Sequence, residues 1–383
     1  MDSKIKVSVI MPSLNMAPYI EKSLTSVTSQ TLKDIEILCV DAGSEDGTID
    51  IIKKIAASDE RVKLINSERK SYGFQVNKGF ECAVGEYLAI IETDDFAEKN
   101  CFEKLYTEAT KDNLDICKAG FYYHWSVPEK KNVPVPVASA IIAGRVFCPR
   151  NDFKAPLEQI EIYNIKPSIW SAIYKRDFIE KNKIKFTETD GAAFQDTAFN
   201  FKVFALADRV RLLTDLLVYY RQDNELSSVN SKDKAFAICS EYQEIETFLR
   251  KYPELENKLE GVRVRLKYDA YLWNYRRLSS DMKESFLKTA SLEFSNELNR
   301  GYADKKYFVP YKWRTFNLIA DHPEKFTGQE LGYKYCDSAA GADEEKTKNV
   351  KTVAYGALQC LRDHGIMYTI SLAVAKAKDR TKH

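Results

Sequence analysis

The chain has 383 residues, length for roughly two to three domains. Its 44% hydrophobic and 30% charged residues make a globular composition that excludes a disordered tail protein. Lys and Arg total 57 against 56 Asp and Glu, a net charge of +1, so no basic surplus marks nucleic acid as a partner.

Val7–Met11 is a β-branched run stopped at Pro12 and predicts a first strand. Ile20, Leu24 and Val27 recur at helical spacing within 17–31. Ile35–Val40 predicts a second strand, ended by Asp41-Ala42-Gly43-Ser44, and Ile51, Ile52 and Ile55 give the buried face of the next helix. Val62–Ile65 is a third strand, 74–84 a helix broken at Gly85, and Tyr87–Ile91 a fourth strand running into Glu92-Thr93-Asp94-Asp95. Such alternation predicts an α/β fold, a mostly parallel sheet with helices on both faces. Ligands of such sheets bind beyond the carboxyl ends of the strands, and polar clusters at 12–15, 41–48 and 92–95 occupy those ends.

Five prolines between 126 and 160 predict a loop-rich, edge-like stretch. Mixed structure returns over 161–222, with Phe194-Gln195-Asp196 at a helix start, and from about 232 the pattern is helical. Residues 337–347 read as an exposed linker, and 365–378 as a helix with Ile366, Ile370 and Val374 on one face and a basic end.

Eight cysteines, at 39, 82, 101, 117, 148, 239, 336 and 360, include no pair within four residues, so zinc ribbons and thioredoxin-like pairs are excluded and buried reduced thiols expected. The start, Met1–Lys4, shows no apolar signal region, and no apolar run approaches ~20 residues, so a cytoplasmic chain is expected. The four histidines (124, 322, 364, 383) have no metal-ligand spacing, and Gly-x-Gly-x-x-Gly, Gly-Lys-Ser/Thr and Gly-x-Ser-x-Gly are all missing.

The acids Glu92, Asp94 and Asp95 suit a hard cation such as Mg²⁺ or Mn²⁺ shared with a diphosphate; they equally suit a solvated, helix-capping turn. Asp41 offers an acceptor to a nucleobase or ribose, or caps a strand-to-helix turn. Gly73, Asn77 and Gly79 read as a loop and helix start, and Trp170 suits a core position.

Taken in order, one set of residues resembles a known family. It comprises Val7–Asn15, Tyr19-Ile20, Ser23-Leu24, Ser26-Val27, Ser29-Gln30-Thr31, Glu36-Ile37, Val40–Thr48, Asn77-Lys78-Gly79, Gly85-Glu86-Tyr87 and Glu92–Asp95. The family is the family 2 glycosyltransferases, inverting enzymes of the GT-A fold. The resemblance is dense over 5–100 and continues thinly through Trp170–Arg176, Phe194–Asp196 and Tyr219–Arg221 to Ser227. It implies a GT-A catalytic domain over 1–231, with a nucleotide-sugar part at about 1–100 and an acceptor part at about 101–231, followed by a helical region over 232–383.

The resemblance also implies roles. Pro12, Ser13, Asn15, Asp41 and Asn77 would line the nucleotide-sugar pocket, Asp94 would meet the ribose and metal, and Asp95 the metal. Asp196 would be the general base, Arg221 would close over the diphosphate, and Trp170 and Gln195 would face the acceptor. The reaction would be a single displacement with inversion, from a nucleoside-diphosphate sugar (UDP-sugar foremost) to a saccharide hydroxyl, with Mn²⁺ or Mg²⁺ on the diphosphate. Bacterial capsule, lipopolysaccharide or exopolysaccharide synthesis is the implied setting, with an acceptor that is often lipid-linked.

Four departures stand out: Ala42 for a second Asp, Leu14 for an aromatic, Glu92 for the first Asp of the acidic motif and Gln195 for the Glu beside the base. Ala42 and Leu14 keep open a non-catalytic nucleotide-sugar-binding assembly subunit. A nucleotidyltransferase is the other alternative, though it would carry a glycine-rich basic loop where Pro12–Met16 stands. The basic-ended helix at 365–378 suits peripheral contact with the inner membrane or docking on the protein's own core, and the helical region suits a homo-oligomer.

Overall fold

The computed structural model describes residues 5–139, 142–224 and 234–326. Ser227, the 337–347 linker, the 365–378 helix, Cys336, Cys360, His364 and His383 lie outside them.

The chain begins with β1 (Val7–Ser13), α1 (Ala17–Thr28), β2 (Ile35–Asp41), α2 (Thr48–Ala56), β3 (Val62–Asn66), α3 (Tyr72–Cys82) and β4 (Tyr87–Ile90). Every residue of β1, β2 and β4 is buried, as expected of strands covered on both faces. Their pairing is parallel: β1 lies between β2 and β4, and β3 adds outside β2. Ser13 is opposite Asp41 in register, so the carboxyl ends of β1 and β2 open at one level.

The sheet then changes character. β5 (Phe96–Ala97) and α4 (Cys101–Lys111) lead to the long β6 (Ile116–Trp125), then β7 (Lys131–Val135), β8 (Val146–Phe147) and α5 (Pro156–Tyr163). A 3-10 turn at Ile169–Ser171 precedes β9 (Ala172–Lys175) and α6 (Arg176–Lys181). α7 (Gln195–Leu206) and β10 (Val210–Arg221) complete the sheet, whose order is β3-β2-β1-β4-β9-β6-β10-β5. β9 bridges the halves, antiparallel to both β4 and β6, while β6 and β10 run parallel. The loop expectation for 126–160 is corrected in part. β7 forms despite Pro134, because only β6 pairs with it and an edge strand tolerates the missing N–H.

Asn77 and Gly79 lie in α3 as the 74–84 helix predicted, and Gly73, expected in the loop before it, belongs to the helix too. A Cβ on Gly79 would stand 2.5 Å from Ile10 Cγ2, so glycine sets how closely α3 rests on β1. A Cβ on Gly73 would stand 2.0 Å from the Thr187 carbonyl oxygen, which brings the 186–189 segment onto the same helix.

The C-terminal helices are α8 (Ala237–Arg250), α9 (Pro253–Arg277), α10 (Ser280–Asn299) and α11 (Pro310–Asp321). Their core is aromatic: Phe294 stacks on Phe316 at 4.5 Å and meets Tyr271 at 5.7 Å. Beside it lies a buried ion network. Arg263, with no exposed surface, donates to Glu260 at 2.6 Å and to both oxygens of Glu297 at 2.7 and 2.8 Å. Lys267 also donates to Glu297, at 2.9 Å. One hydrophobic core runs from Val7 in β1 to Phe326 beyond α11, so the helices are packed on the sheet domain. Cys39, Cys101 and Cys117 are buried free thiols, as expected, whereas Cys82 is exposed and Cys148 and Cys239 are half-buried.

Candidate active site

The carboxyl ends of β1 and β2 are joined by a lattice of hydrogen bonds. Asp41 accepts from the Gly43 and Ser44 amides on one oxygen, at 2.9 and 2.8 Å, and from the Ser13 and Ser44 hydroxyls on the other, at 2.7 and 2.6 Å. Those four bonds use the acceptor capacity of a carboxylate. Asp41 is therefore an organiser of its own loop. Asn15, in the left-handed region at φ 54, donates its amide to Ser44 Oγ and accepts from the Glu45 amide through Oδ1. Met16 and Ala17 donate to Thr48 Oγ1 and Asp46 Oδ2. Gln75, on α3, ties both strand ends by donating to the Ser13 and Val40 carbonyls at 2.8 and 2.7 Å. Pro12 is buried, and its carbonyl accepts from Thr93 Oγ1 at 3.2 Å, which links the first loop to the acidic motif.

The acidic motif follows β4 on the same side. Its backbone is held from the far end of the sheet by Arg221, whose amide donates to Asp95 Oδ1 at 2.8 Å and whose Nε donates to the Asp94 carbonyl at 3.0 Å. The Arg221 guanidinium also meets Ser126 and Asp223 and lies 4.8 Å from the Tyr19 ring centre. Asp94 accepts from Asn224 at 2.8 Å. Asp95 has no exposed surface, and its Oδ2 is a buried oxygen without any hydrogen-bond partner. A carboxylate oxygen in that state normally has a donor or a cation beside it. Burial raises the Asp95 carboxyl well above its usual range, and the Asp94 and Glu92 charges push it further. Glu92 is raised for the same reasons, burial first and then Asp94 and Asp196, while it accepts from the Tyr72 hydroxyl at 3.2 Å.

Asp196 stands in the first turn of α7, directly after Phe194, which adopts φ 62. Burial pushes its carboxyl up to about 6 against the pull of Lys166, of the Thr197 amide and its own, and of Lys118. That value suits a carboxylate ionised at neutral pH and still basic enough to accept a proton. The acidic motif and Asp196 share one site: the Tyr220 hydroxyl is acted on by Asp95, Glu92, Asp94 and Asp196, and that of Tyr72 by Glu92 and Asp196. Trp170 is 6% exposed and packs on Phe121 at 4.7 Å and Tyr220 at 4.9 Å, so it forms the wall behind Tyr220.

Two other candidate residues are engaged within the fold. Asn77 gives both amide protons to the Phe186 carbonyl and Glu188, and accepts from the Phe186 amide. It clamps the 186–188 segment to α3. Gln195 accepts from the Ala193 amide and donates to Thr189 and Gly191, so it shapes the turn before Asp196. Tyr72, Gln75, Asn224, Lys118 and Lys166 belong to the site without any motif to mark them. A groove of about 480 Å³ between α4 and the start of β10 is lined by none of these residues.

Comparison with known proteins follows this geometry. The profile of the family described as glycosyl transferase family 2 matches residues 8–209. EpsJ of Bacillus subtilis, a glycosyltransferase by name, is 30% identical over 227 residues, 59% of this chain and 64% of its own, so the chain covers slightly under two thirds of that relative. The poly(ribitol-phosphate) beta-N-acetylglucosaminyltransferase TarP of Staphylococcus aureus is 25% identical over 337 residues, 86% of this chain and 94% of its own. Among solved structures, S. aureus TarS 1–349 in complex with UDP-GlcNAc superposes with a TM-score of 0.52 at 18% identity, covering 82% of this chain and 91% of that one. That likeness is one of fold.

Proposed function

The chain belongs to glycosyl transferase family 2, and we propose that it transfers a sugar, with inversion, from a nucleoside-diphosphate sugar to an acceptor hydroxyl. The observation that carries this reading is the unpartnered buried oxygen of Asp95, set beside Asp94 at the carboxyl end of β4 in one site with Asp196.

The donor set fits a hard divalent cation such as Mn²⁺ or Mg²⁺, held by Asp95 Oδ2 and the Asp94 carboxylate. Among the described residues no group of three or more His, Cys, Asp or Glu side chains is arranged to hold a metal, so the remaining ligands would be diphosphate and water oxygens. When bound there, such a cation offsets charge on the departing diphosphate. The joined loops at 13–17 and 41–48 form a floor for the nucleoside, with Asn15, Gly43, Glu45 and Asp46 exposed on it. Arg221 fixes the acidic motif from behind and adds positive charge near the diphosphate. Asp196 takes the acceptor proton as the hydroxyl attacks the anomeric carbon, while the nucleoside diphosphate leaves from the opposite face.

A UDP-sugar is the donor to test first, since TarS, of like fold, holds UDP-GlcNAc. The name of TarP, a poly(ribitol-phosphate) beta-N-acetylglucosaminyltransferase, supports a polymer as acceptor class. No helix among the described residues is long and apolar enough to cross a membrane, and we place the reaction at the cytoplasmic face. Incubation with a panel of UDP-, GDP- and dTDP-sugars and Mn²⁺ tests the reading: slow release of nucleoside diphosphate from one donor, abolished in Asp95→Asn, is expected. No release from any donor, with no nucleotide bound, counts against it.

A further inference from the structure

A row of aromatic rings leads from the acidic site to an edge of the sheet. Tyr220 of β10 stands opposite Tyr123 of β6 in register, and Tyr123 and Trp125, two residues apart on one strand, share a face. Trp170 backs Tyr220 at 4.9 Å between ring centres, Tyr220 meets Tyr123 at 6.0 Å, and Tyr123 meets Trp125 at 6.2 Å. Exposure grows along the row: Trp170 is buried, whereas Tyr220, Tyr123 and Trp125 are half-buried. The near end belongs to the site, because the residue after Tyr220 is Arg221, whose amide donates to Asp95. The far end is the edge strand β7, where Lys131 stands opposite Trp125.

Two lysines follow the rings. Lys166 donates to the Tyr123 hydroxyl and lies 4.5 Å from the centre of that ring and 5.8 Å from that of Tyr220. Lys131 lies 5.5 Å from the centre of the Trp125 ring. Both lysines are exposed, and among the described residues neither has a carboxylate in ion-pair contact. Asp223, at the same end of the sheet, is taken up by Arg221 and by the Ser126 and Val127 amides. Glu129, in the turn between β6 and β7, is followed by Lys130. Contact with a ring holds an ammonium group in place without neutralising it. Half-exposed aromatic faces suit the C–H faces of sugar rings, which bury apolar area there and keep their hydroxyls in water. A neutral glycan would use the rings and leave both charges idle.

We propose that this row is the acceptor track and that it takes a polyanionic glycan, with sugar rings on Tyr123 and Trp125 and their phosphate or carboxylate groups on Lys166 and Lys131. The proposal rests on the transfer reading and names its acceptor class. The receiving hydroxyl lies at the Tyr220 end, and the charges of the chain behind it lie along the lysines, away from Asp94 and Asp95.

Calorimetry with oligosaccharides of similar length tests this: a phosphomannan, an oligogalacturonate and a neutral dextran. Wild type is expected to bind at least one of the anionic glycans roughly tenfold more tightly than dextran, with an affinity that falls as salt rises. The two anionic arms tell phosphate from carboxylate. Trp125→Ala should weaken that binding roughly tenfold, and Trp125→Phe, which keeps an aromatic face, should restore most of it. Lys166→Gln and Lys131→Gln should each weaken it roughly threefold and flatten its salt dependence, with dextran unaffected. Circular dichroism reports whether each variant is folded. Equal binding of dextran and the polyanions, binding of neither polyanion, or affinities unmoved by these substitutions overturns the proposal. Glycan binding is measured without donor, so it stands even where the donor panel releases no nucleotide. Transfer to neutral glycans alone would overturn the acceptor class and leave the transfer reading intact.

Discussion

Asp196→Asn should cost activity and add stability. The wild-type carboxyl is moved from 3.8 in the open chain to about 6 by burial, a difference of about two pH units. At about 1.4 kcal/mol per unit, the ionised carboxylate then destabilises the fold by about 3 kcal/mol once pH is well above both values. The sign follows from proton binding: the folded state holds the proton more tightly, so stability is present at low pH and lost as pH rises through the window from 3.8 to about 6. Asn keeps the shape and an acceptor for the Thr197 amide, and does not titrate. Urea unfolding should therefore find Asp196→Asn more stable by about 3 kcal/mol at pH 8 and by about half that at pH 5. Transfer should fall ~10²–10⁴-fold with donor binding preserved. A variant no more stable than wild type at pH 8, or equally shifted at both pH values, would refute the burial argument.

Wild-type kcat/KM should decline about tenfold per pH unit well below the Asp196 midpoint of about 6, and the decline should vanish from the residual activity of Asp196→Asn. Calorimetry of UDP should show tighter binding with Mn²⁺ than without, and Asp95→Asn should erase the difference; equal affinity in wild type would remove the metal role. Gly73→Ala places a methyl 2.0 Å from the Thr187 carbonyl and should cost about 1–3 kcal/mol in urea unfolding, because a backbone atom must give way. Arg263→Met strands Glu260 and leaves Glu297 with Lys267 alone, and should cost about 3–5 kcal/mol at pH 8, less at pH 5 where the acids bind protons; a pH-independent loss would mean packing, not charge, is at stake.

The nucleotide half of the fold was legible because its strands are covered on both faces and so are written as unbroken apolar runs: Val7–Met11, Ile35–Val40 and Tyr87–Ile91 each became a strand. The polar clusters at their ends marked the site's position. Their individual roles were not legible. Asp41 and Asn77 look like ligand residues in a linear motif, yet their acceptors and donors are consumed by Ser13, Ser44, Phe186 and Glu188, partners that only the folded chain supplies. Tyr72, Gln75 and Lys118 carry no signal at all, because each acts across a gap of 20 to 62 residues to a carbonyl or carboxylate set by the topology. β7 was missed because proline content reads as loop, and only its edge position excuses Pro134. α3 begins earlier than its apolar pattern, at Tyr72, because Ser71 caps it: Ser71 Oγ accepts from the Phe74 amide and donates to the Thr189 carbonyl.

A boundary near residue 232 divides the chain by composition, but the site does not respect it. The turn that delivers Asp196 spans 191–195 and passes through two left-handed residues, Gly191 at φ 73 and Phe194 at φ 62. For phenylalanine that conformation costs energy, of order 1–2 kcal/mol, and needs support from its surroundings. The support comes from beyond the boundary. Trp273 of α9 meets the Phe194 ring edge-on at 6.0 Å, and Arg277 lies 5.5 Å from the same ring centre. Lys234 donates to the Ala192 carbonyl at 2.7 Å, and Glu241 of α8 accepts from the Ala198 amide in the first turns of α7 at 3.3 Å. On the other side Gln195 closes the turn internally. These contacts hold the head of α7 from both sides of the boundary. The helical region therefore supports the turn that carries Asp196: the buried Arg263 network that joins α9 to α10 lies on the same helix as Trp273, on which Phe194 is braced.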